Sequence, residues 1–116
     1  MSAKKHDAGK ARVSLTISKA DLEIGKVGTM GAAKYGDHNF REANGMKWSR
    51  LADAGLRHLI YYLSGDRKDD ESGLSHLAHA AWNLKALLEY EINNVGIDDL
   101  FKGYNKQEDK DNAAGS

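Results

Sequence analysis

The 116 residues carry 17 basic and 17 acidic side chains and no cysteine. That excludes a disulfide framework, a thiolate zinc site and a thiol nucleophile, and it leaves no global field to favour nucleic acid or an anionic membrane. A chain this short makes one small domain whose helices gain from pairing with a second copy, so oligomerisation is expected. No apolar run approaches the ~20 residues of a membrane span, and Met1-Ser-Ala-Lys-Lys-His lacks the apolar segment of a secretory signal. A cytoplasmic protein is expected, with neither membrane nor nucleic acid among its partners.

Residues 1–12 are Lys, Ala, Gly and polar residues, too poor in apolar side chains to order themselves, and read as a flexible arm. Val13-Ser-Leu15-Thr-Ile17-Ser alternates apolar with polar and predicts an extended lead-in. Ser18 followed by Asp21 marks a helix start, with the serine oxygen accepting an orphan amide. Leu22, Ile24, Val27 and Met30 continue that helix as a stripe, although Gly25, Gly28 and Gly31 each cost it roughly 1 kcal/mol. Their spacing sets them along one side, where another backbone or a ligand can come close, and close helix packing is the favoured reason. Gly36 suits the cap that ends the helix and Asn44-Gly45 a turn. Between them, Lys34 and Arg41 alternate with Tyr35, Asn39 and Phe40. These groups hold phosphate oxygens and a flat base, though ordinary surface loops share the mixture.

From Trp48, the positions Leu51, Ala52, Leu56, Leu59, Ile60 and Leu63 follow three-four spacing and predict a helix of about four to five turns. Asp53 and Arg57, four apart on its polar side, make an intrahelical ion pair or serve a site. His58 lies beside them. The connection Ser64–Gly73 contains Asp66, Asp69, Asp70 and Glu71, which form a solvated turn or bind a hard cation. Ser72 is expected to cap the next helix, with Glu71 at its mouth. Leu74, Leu77, Ala81, Leu84 and Leu88 extend that helix over 73 to about 93 as an antiparallel partner of the preceding one, and Gly96 follows its end. His76, His79 and Asn83 fall on one face of it, so that with His58 and Glu71 opposite they point to metal or phosphate. Ile97-Asp-Asp-Leu-Phe101 predicts a short closing turn. The domain then spans 13–102, and 103–116 reads as a disordered tail.

Three stretches, Gly31-Ala-Ala-Lys-Tyr-Gly-Asp-His-Asn-Phe, Arg57-His58-Leu and Asp69-Asp-Glu71-Ser-Gly-Leu-Ser-His76-Leu-Ala-His79-Ala, resemble the phage dATP/dGTP diphosphohydrolases, also called MazZ-like proteins, in order and spacing. The resemblance implies an all-α fold akin to the MazG nucleotide pyrophosphohydrolases. Here that means a small bundle of three main helices plus a C-terminal turn, completed as a homodimer or homotetramer. It further implies hydrolysis of a purine deoxynucleoside triphosphate, dGTP or dATP, to the monophosphate and pyrophosphate, with Mg or Mn as divalent cofactor. MazG relatives hold their ions with Glu-Glu-x-x-Glu and Glu-x-x-Asp. In this chain His76-Leu-Ala-His79 stands where Glu-x-x-Asp is expected, and no Glu-Glu-x-x-Glu precedes it.

A triphosphate carries about four negative charges, which must be neutralised before water attacks it. The metal ligands expected are His58, Asp69, Glu71, His76 and His79, and imidazole ligation favours Zn, Co or Mn over Mg. Lys34, Arg41 and Arg57 are expected as phosphate clamps, Tyr35 and Asn39 as further substrate contacts, and Asp53, Glu71 and Arg57 as the catalytic set. Tyr35, Phe40 or Trp48 is the choice for stacking on the base, with Trp48 and Trp82 favoured for the core. Two rival readings stand beside this one: a nucleotide-holding protein that kept the pocket without hydrolysis, and a small helical interaction protein whose histidines satisfy one another.

Overall fold

The computed structural model describes residues 4, 6, 8–42 and 46–104. All its regular elements are helices: a 3₁₀ turn at Val13–Thr16, then α1 (Lys19–Tyr35), α2 (Asn39–Glu42), α3 (Trp48–Leu63) and α4 (His76–Asn93). No strand occurs among the described residues, and no helix there is long and apolar enough to cross a membrane. The fold is the small helical bundle expected. The arm residues 1–3, 5 and 7, the Asn44-Gly45 turn and the tail from 105 lie outside the described residues.

Helix α4 is the axis, with α3 packed along one side and α1 along another. The start of α1 follows the sequence, since the Asp21 carboxylate accepts the Ser18 N–H at 2.9 Å and so returns the cap. It ends at Gly36, whose φ of 95° is open to glycine and whose N–H reaches the Ala32 carbonyl at 2.7 Å. Among the three glycines of α1, close packing explains Gly28: a Cβ there would stand 3.2 Å from Trp82 Nε1, whereas Gly25 and Gly31 meet nothing within 4 Å.

The core joins α3 to α4 through Leu51, Ala86 and Tyr90, with Phe40, Met46, Trp48, Trp82, Leu87 and Val95 around them. Tyr90 is 1% exposed, and its hydroxyl donates to the Phe40 carbonyl, which ties the short α2 to the end of α4. Phe40 stacks on Tyr90 at 6.4 Å and meets Trp82 edge-on at 5.3 Å, both favourable aromatic geometries. Trp48, expected in the core or on a base, is in the core, and its indole N–H donates to Val95 O at 2.8 Å.

Three local expectations give way. Val13–Ser18 is not an extended lead-in: Val13–Thr16 coils as a 3₁₀ turn with Thr16 Oγ1 on the Val13 carbonyl at 2.7 Å. Alternation makes a strand only with a neighbour to pair with, and Val13, Leu15 and Ile17 stand about two-thirds exposed, at 67%, 68% and 71%. The next helix starts at His76 and not at 73, and Ser75, not Ser72, caps it, accepting the Leu77 N–H at 3.1 Å. The preceding residues are held in a folded loop instead, with Asp69 N–H on Leu74 O at 2.8 Å and His76 N–H on Arg67 O at 2.9 Å. Finally, residues 97–101 form no helical turn. They run as a strap in which Ile97 exchanges hydrogen bonds of 2.9 Å with Met46 and Trp48, and Asp99 caps α3 by accepting Ser49 N–H at 2.9 Å and Ser49 Oγ–H at 2.6 Å.

Gly96 makes the strap's bend with φ of +77°, and a Cβ there would lie 2.7 Å from the Met46 carbonyl oxygen. Gly65, at φ +102°, has open space around it. Gly96→Ala is therefore expected to cost about 3 kcal/mol of stability, from strain plus backbone overlap, and Gly65→Ala about 1 kcal/mol from strain alone. Urea unfolding of the two variants measures the difference; equal losses would show that the strap is free to shift.

Candidate functional site

Because α3 and α4 run antiparallel, the C-terminal half of α3 faces the first turns of α4, and His58 is brought against both His76 and His79. Gly55 permits the approach, since a Cβ on it would already be 3.3 Å from Leu84 and 3.5 Å from Asn83. His76 and His79 are buried at 4% and 6% exposure, and His58 is half-buried between them and solvent. The His58 ring stacks on His79 at 4.6 Å and 16° and tilts against His76 at 5.1 Å, while Tyr61 covers the far side of His76 at 5.3 Å.

His58 Nδ1 and His76 Nδ1 are 2.9 Å apart. Two neutral imidazoles share such a contact only if one of them is the donor. The same separation is close to the ~3.3 Å between two nitrogens that bind one tetrahedral ion at about 2.0–2.1 Å. An Asp69 oxygen completes the group, with the ligand atoms of His58, Asp69 and His76 all within 4.8 Å of one another. Burial pulls the Asp69 carboxyl upward, but hydrogen bonds from the Ser72 backbone and side chain, with His79 and His58 nearby, outweigh it and hold the carboxyl below its usual range. It is therefore ionised at neutral pH. Two imidazoles and a carboxylate are a donor set suited to a divalent cation.

The other nitrogens are also defined. Ser72 Oγ accepts the Leu74 N–H at 3.1 Å and lies 2.7 Å from His79 Nε2, within hydrogen-bond distance. The Nε2 of His79 is thus engaged by Ser72, which leaves this ring as the platform under His58. His76 Nε2 is buried without a hydrogen-bond partner, and an Asp66 carboxylate oxygen stands 3.4 Å away, off the line of a hydrogen bond. Asp66 was legible only as one of four acids in a loop; no spacing links it to His76, and only the fold of that loop brings it there.

The remaining expected residues are distributed around this cluster. Glu71 is exposed, stands outside the His58–Asp69–His76 group and forms an ion pair with Lys34, joining the loop to the end of α1. Tyr35, Asn39 and Arg41 line an open groove of about 760 Å³ between α1, α2 and α4, together with Phe40, Arg50 and Trp82. Arg41 lies 4.5 Å over the Phe40 ring and contacts His38 Nδ1 at 2.6 Å. His79 and Trp82 are one helical turn apart on α4, and Lys34 and Tyr35 are neighbours on α1, so cluster and groove adjoin. Asn83 does not converge on the cluster, because its amide donates to the His79 carbonyl at 2.8 Å. Asp53 and Arg57 are exposed on α3 and do not form the ion pair their spacing allows. Arg57 adjoins His58 and disfavours its protonation, whereas Asp53 belongs to neither the cluster nor the groove.

Comparison with known proteins gives a consistent result. The family model described as dATP/dGTP diphosphohydrolase, N-terminal, matches residues 1–100. A dATP/dGTP diphosphohydrolase of Salmonella phage PMBT28 is 37% identical over 99 residues, covering 85% of this chain and 33% of the relative. The chain thus spans about a third of the length of that relative. No solved structure matches.

The imidazoles set a pH dependence. Burial first, and then His79 and His76, pushes His58 below its ordinary value of 6.5; burial is also the main cause for His79, opposed in part by Asp69. The unfolded chain therefore takes up protons at a higher pH than the folded one, so stability is lost as pH falls below about 6.5. The lowered carboxyl of Asp69 acts in the same direction but only near and below its ordinary 3.8. Metal-free protein is expected to show a lower urea midpoint at about pH 5.5 than at about pH 7.5, and a His58→Gln/His79→Gln variant a flatter profile. A midpoint that rises on acidification would contradict the burial of neutral rings.

Proposed function

The chain belongs to the dATP/dGTP diphosphohydrolase N-terminal family, and on that premise we propose that it binds a purine deoxynucleoside triphosphate in the cytoplasm and, with a divalent metal, hydrolyses it to the monophosphate and pyrophosphate. The observation that carries this reading is the convergence of His58, His76 and Asp69 within 4.8 Å of one another, beside a groove lined with aromatic and cationic side chains.

In this hydrolysis the oxygen of water bonds to the α-phosphorus, the bond from that phosphorus to the bridging oxygen breaks, the electron pair leaves with pyrophosphate, and a water proton is given up. His58 and His76, through Nδ1, and the Asp69 carboxylate are the residues to hold the ion. A divalent ion bound there would acidify water and set positive charge against the phosphate oxygens. Two nitrogen ligands favour Mn, Co or Zn over Mg. Asp66 is placed to orient His76 from behind, as carboxylates do for ligating imidazoles, and Ser72 fixes His79 beneath His58.

The phosphates meet Lys34 at the junction of cluster and groove. A polyphosphate carries more charge than a single carboxylate, so it draws Lys34 from Glu71 and leaves Glu71, beside His79, to orient the attacking water and take its proton. Arg57, on the open side of His58, and Arg41, at the groove, offset the remaining charge. The base lies in the groove against Tyr35, Phe40 and the edge of Trp82, with Asn39 in reach of its polar edge.

Incubation with dGTP or dATP in the presence of Mn, Co, Zn or Mg is expected to yield the monophosphate and pyrophosphate, with the transition metals more effective than Mg. A His76→Ala/His79→Ala variant is expected to lose pyrophosphate release by about 100-fold or more while keeping its helical circular dichroism. Full activity in that variant removes these residues from the chemistry. A nucleotide-dependent rise in Tm without any product identifies a nucleotide-holding protein instead.

A further inference from the structure

Most polar side chains that line the groove are committed elsewhere or offer hydrogen bonds of one kind. The Thr29 hydroxyl donates to the Gly25 carbonyl at 2.8 Å, and His38 Nδ1 is 2.6 Å from the Arg41 guanidinium. Arg50 and Lys85 only donate, and Asp37 only accepts. Asn39 differs from all of these. Its carboxamide sets a donor beside an acceptor, it is exposed at the groove, and it has no hydrogen-bond partner among the described residues. Asn83 and Asn93, by contrast, each donate to the carbonyl one turn back, at 2.8 and 3.0 Å.

The backbone that carries this amide is held. Gly36 at φ +95° and His38 at φ +60° turn the chain off the end of α1, the Arg41 N–H reaches the His38 carbonyl at 2.9 Å, and the Tyr90 hydroxyl holds the Phe40 carbonyl. Phe40 has Tyr90 stacked on it and Arg41 4.5 Å over its ring, so it offers a base its edge. The open aromatic face of the groove is that of Tyr35, 67% exposed. Phe40 packs on Trp82 and Tyr90, which lie roughly 5 Å and roughly 17 Å along α4 from His79 at 1.5 Å per residue. Asn39, its neighbour in the chain, therefore stands down the groove from the imidazole cluster. That is the end at which the far edge of a base falls when its phosphates are at Lys34.

We infer that the Asn39 carboxamide reads the Watson–Crick edge of the bound purine and, by turning over, serves the 6-amino and the 6-oxo base alike; this rests on the nucleotide reading of the groove given above. At positions 1 and 6 adenine presents an acceptor and a donor, and guanine a donor and an acceptor. Each pattern is the inverse of the other. Half a turn about the last carbon–carbon bond of an asparagine exchanges its oxygen and nitrogen, and rotation about that bond is soft. One amide thus supplies two hydrogen bonds to either purine without any movement of the backbone. A fixed donor such as Arg50, or a fixed acceptor such as Asp37, cannot do so, because it matches each base at one position only.

The test is calorimetric binding, by the full chain with manganese, of the α,β-methylene analogues of dATP, dGTP and deoxyinosine triphosphate, which resist cleavage at the α-phosphorus. The wild type is expected to bind all three with similar Kd, since hypoxanthine shares positions 1 and 6 with guanine and lacks only the 2-amino group. Asn39→Leu is expected to weaken all three by about tenfold or more. In Asn39→Asp the carboxylate only accepts, and guanine alone offers it two adjacent donors, N1–H and the 2-amino group. There the dGTP analogue is expected to be retained, and the dATP and deoxyinosine analogues to weaken by about tenfold or more. Helical circular dichroism and manganese binding without nucleotide are expected to stay as in the wild type, because Asn39 lies outside the imidazole cluster. An aspartate variant that weakens all three equally, a leucine variant that binds like the wild type, or a wild type that takes only one of the bases overturns the role of Asn39 and leaves nucleotide binding in place. A wild-type chain that binds none of the three takes away the nucleotide reading itself, and this inference with it.

Discussion

The structure turns on the approach of α3 to α4 at Gly55. A side chain there would meet Leu84 at 3.3 Å, so its absence sets how near the two axes come. One turn further along α3, that nearness becomes the stacking of His58 on His79 at 4.6 Å and its Nδ1 contact with His76 at 2.9 Å. At the other end it becomes the core of Leu51, Ala86 and Tyr90. A hairpin opened by one methyl group would leave the core with a gap and the rings without contact, because packing falls off steeply with sub-ångström separation. Fold and site thus share one geometric cause.

Burial then divides the charges. Burial pushes the His58 and His79 rings toward the neutral form, and the neighbouring imidazoles disfavour protonation of each further. Two carboxylates are directed at them, Asp69, held by Ser72, and Asp66, 3.4 Å from His76 Nε2. The cations Lys34, Arg41 and Arg57 all stay at the exposed margin, where polyphosphate would arrive. Neutral ligands inside and mobile positive charges outside suit a site that takes a metal and an anion together. A cluster built of carboxylates alone would instead carry its own repulsion when empty.

Much of this was legible in the residues. The three-four spacing from Leu51 to Leu63 and from Leu77 to Leu88 gave both long helices, and the positions of His58, His76 and His79 placed them on facing sides once the connection was read as a turn. Local signals served less well where tertiary contacts decided. Ser72 looked like a cap three residues before helical spacing was established, yet its hydroxyl is used on His79 and Ser75 caps α4. Alternation in Val13–Ser18 resembled a strand, but a strand exists only beside another. Asp66 near His76 and Asp99 on the first turn of α3 depend on how loops fold back, and no periodicity encodes that. Glu71 and Lys34, read as ligand and clamp, meet each other across the end of α1.

The loop between α3 and α4 shows how binding and stability are joined. Its few backbone bonds, such as Asp69 to Leu74 and His76 to Arg67, hold it in place, and glycines at φ +102° and +73° allow its two bends. Inside it lies a polar atom that the chain does not satisfy, His76 Nε2, and leaving such an atom buried and unpaired costs about 1–3 kcal/mol. A small alteration in the loop, bringing the Asp66 carboxylate into line, would remove that penalty, and it gains most when His76 is donating its Nδ1 lone pair and its remaining N–H is the more acidic. Ligation of an ion on one nitrogen would therefore tighten the bond on the other. The unpartnered nitrogen is thus the point at which a bound cation would be coupled to the loop and the helix pair.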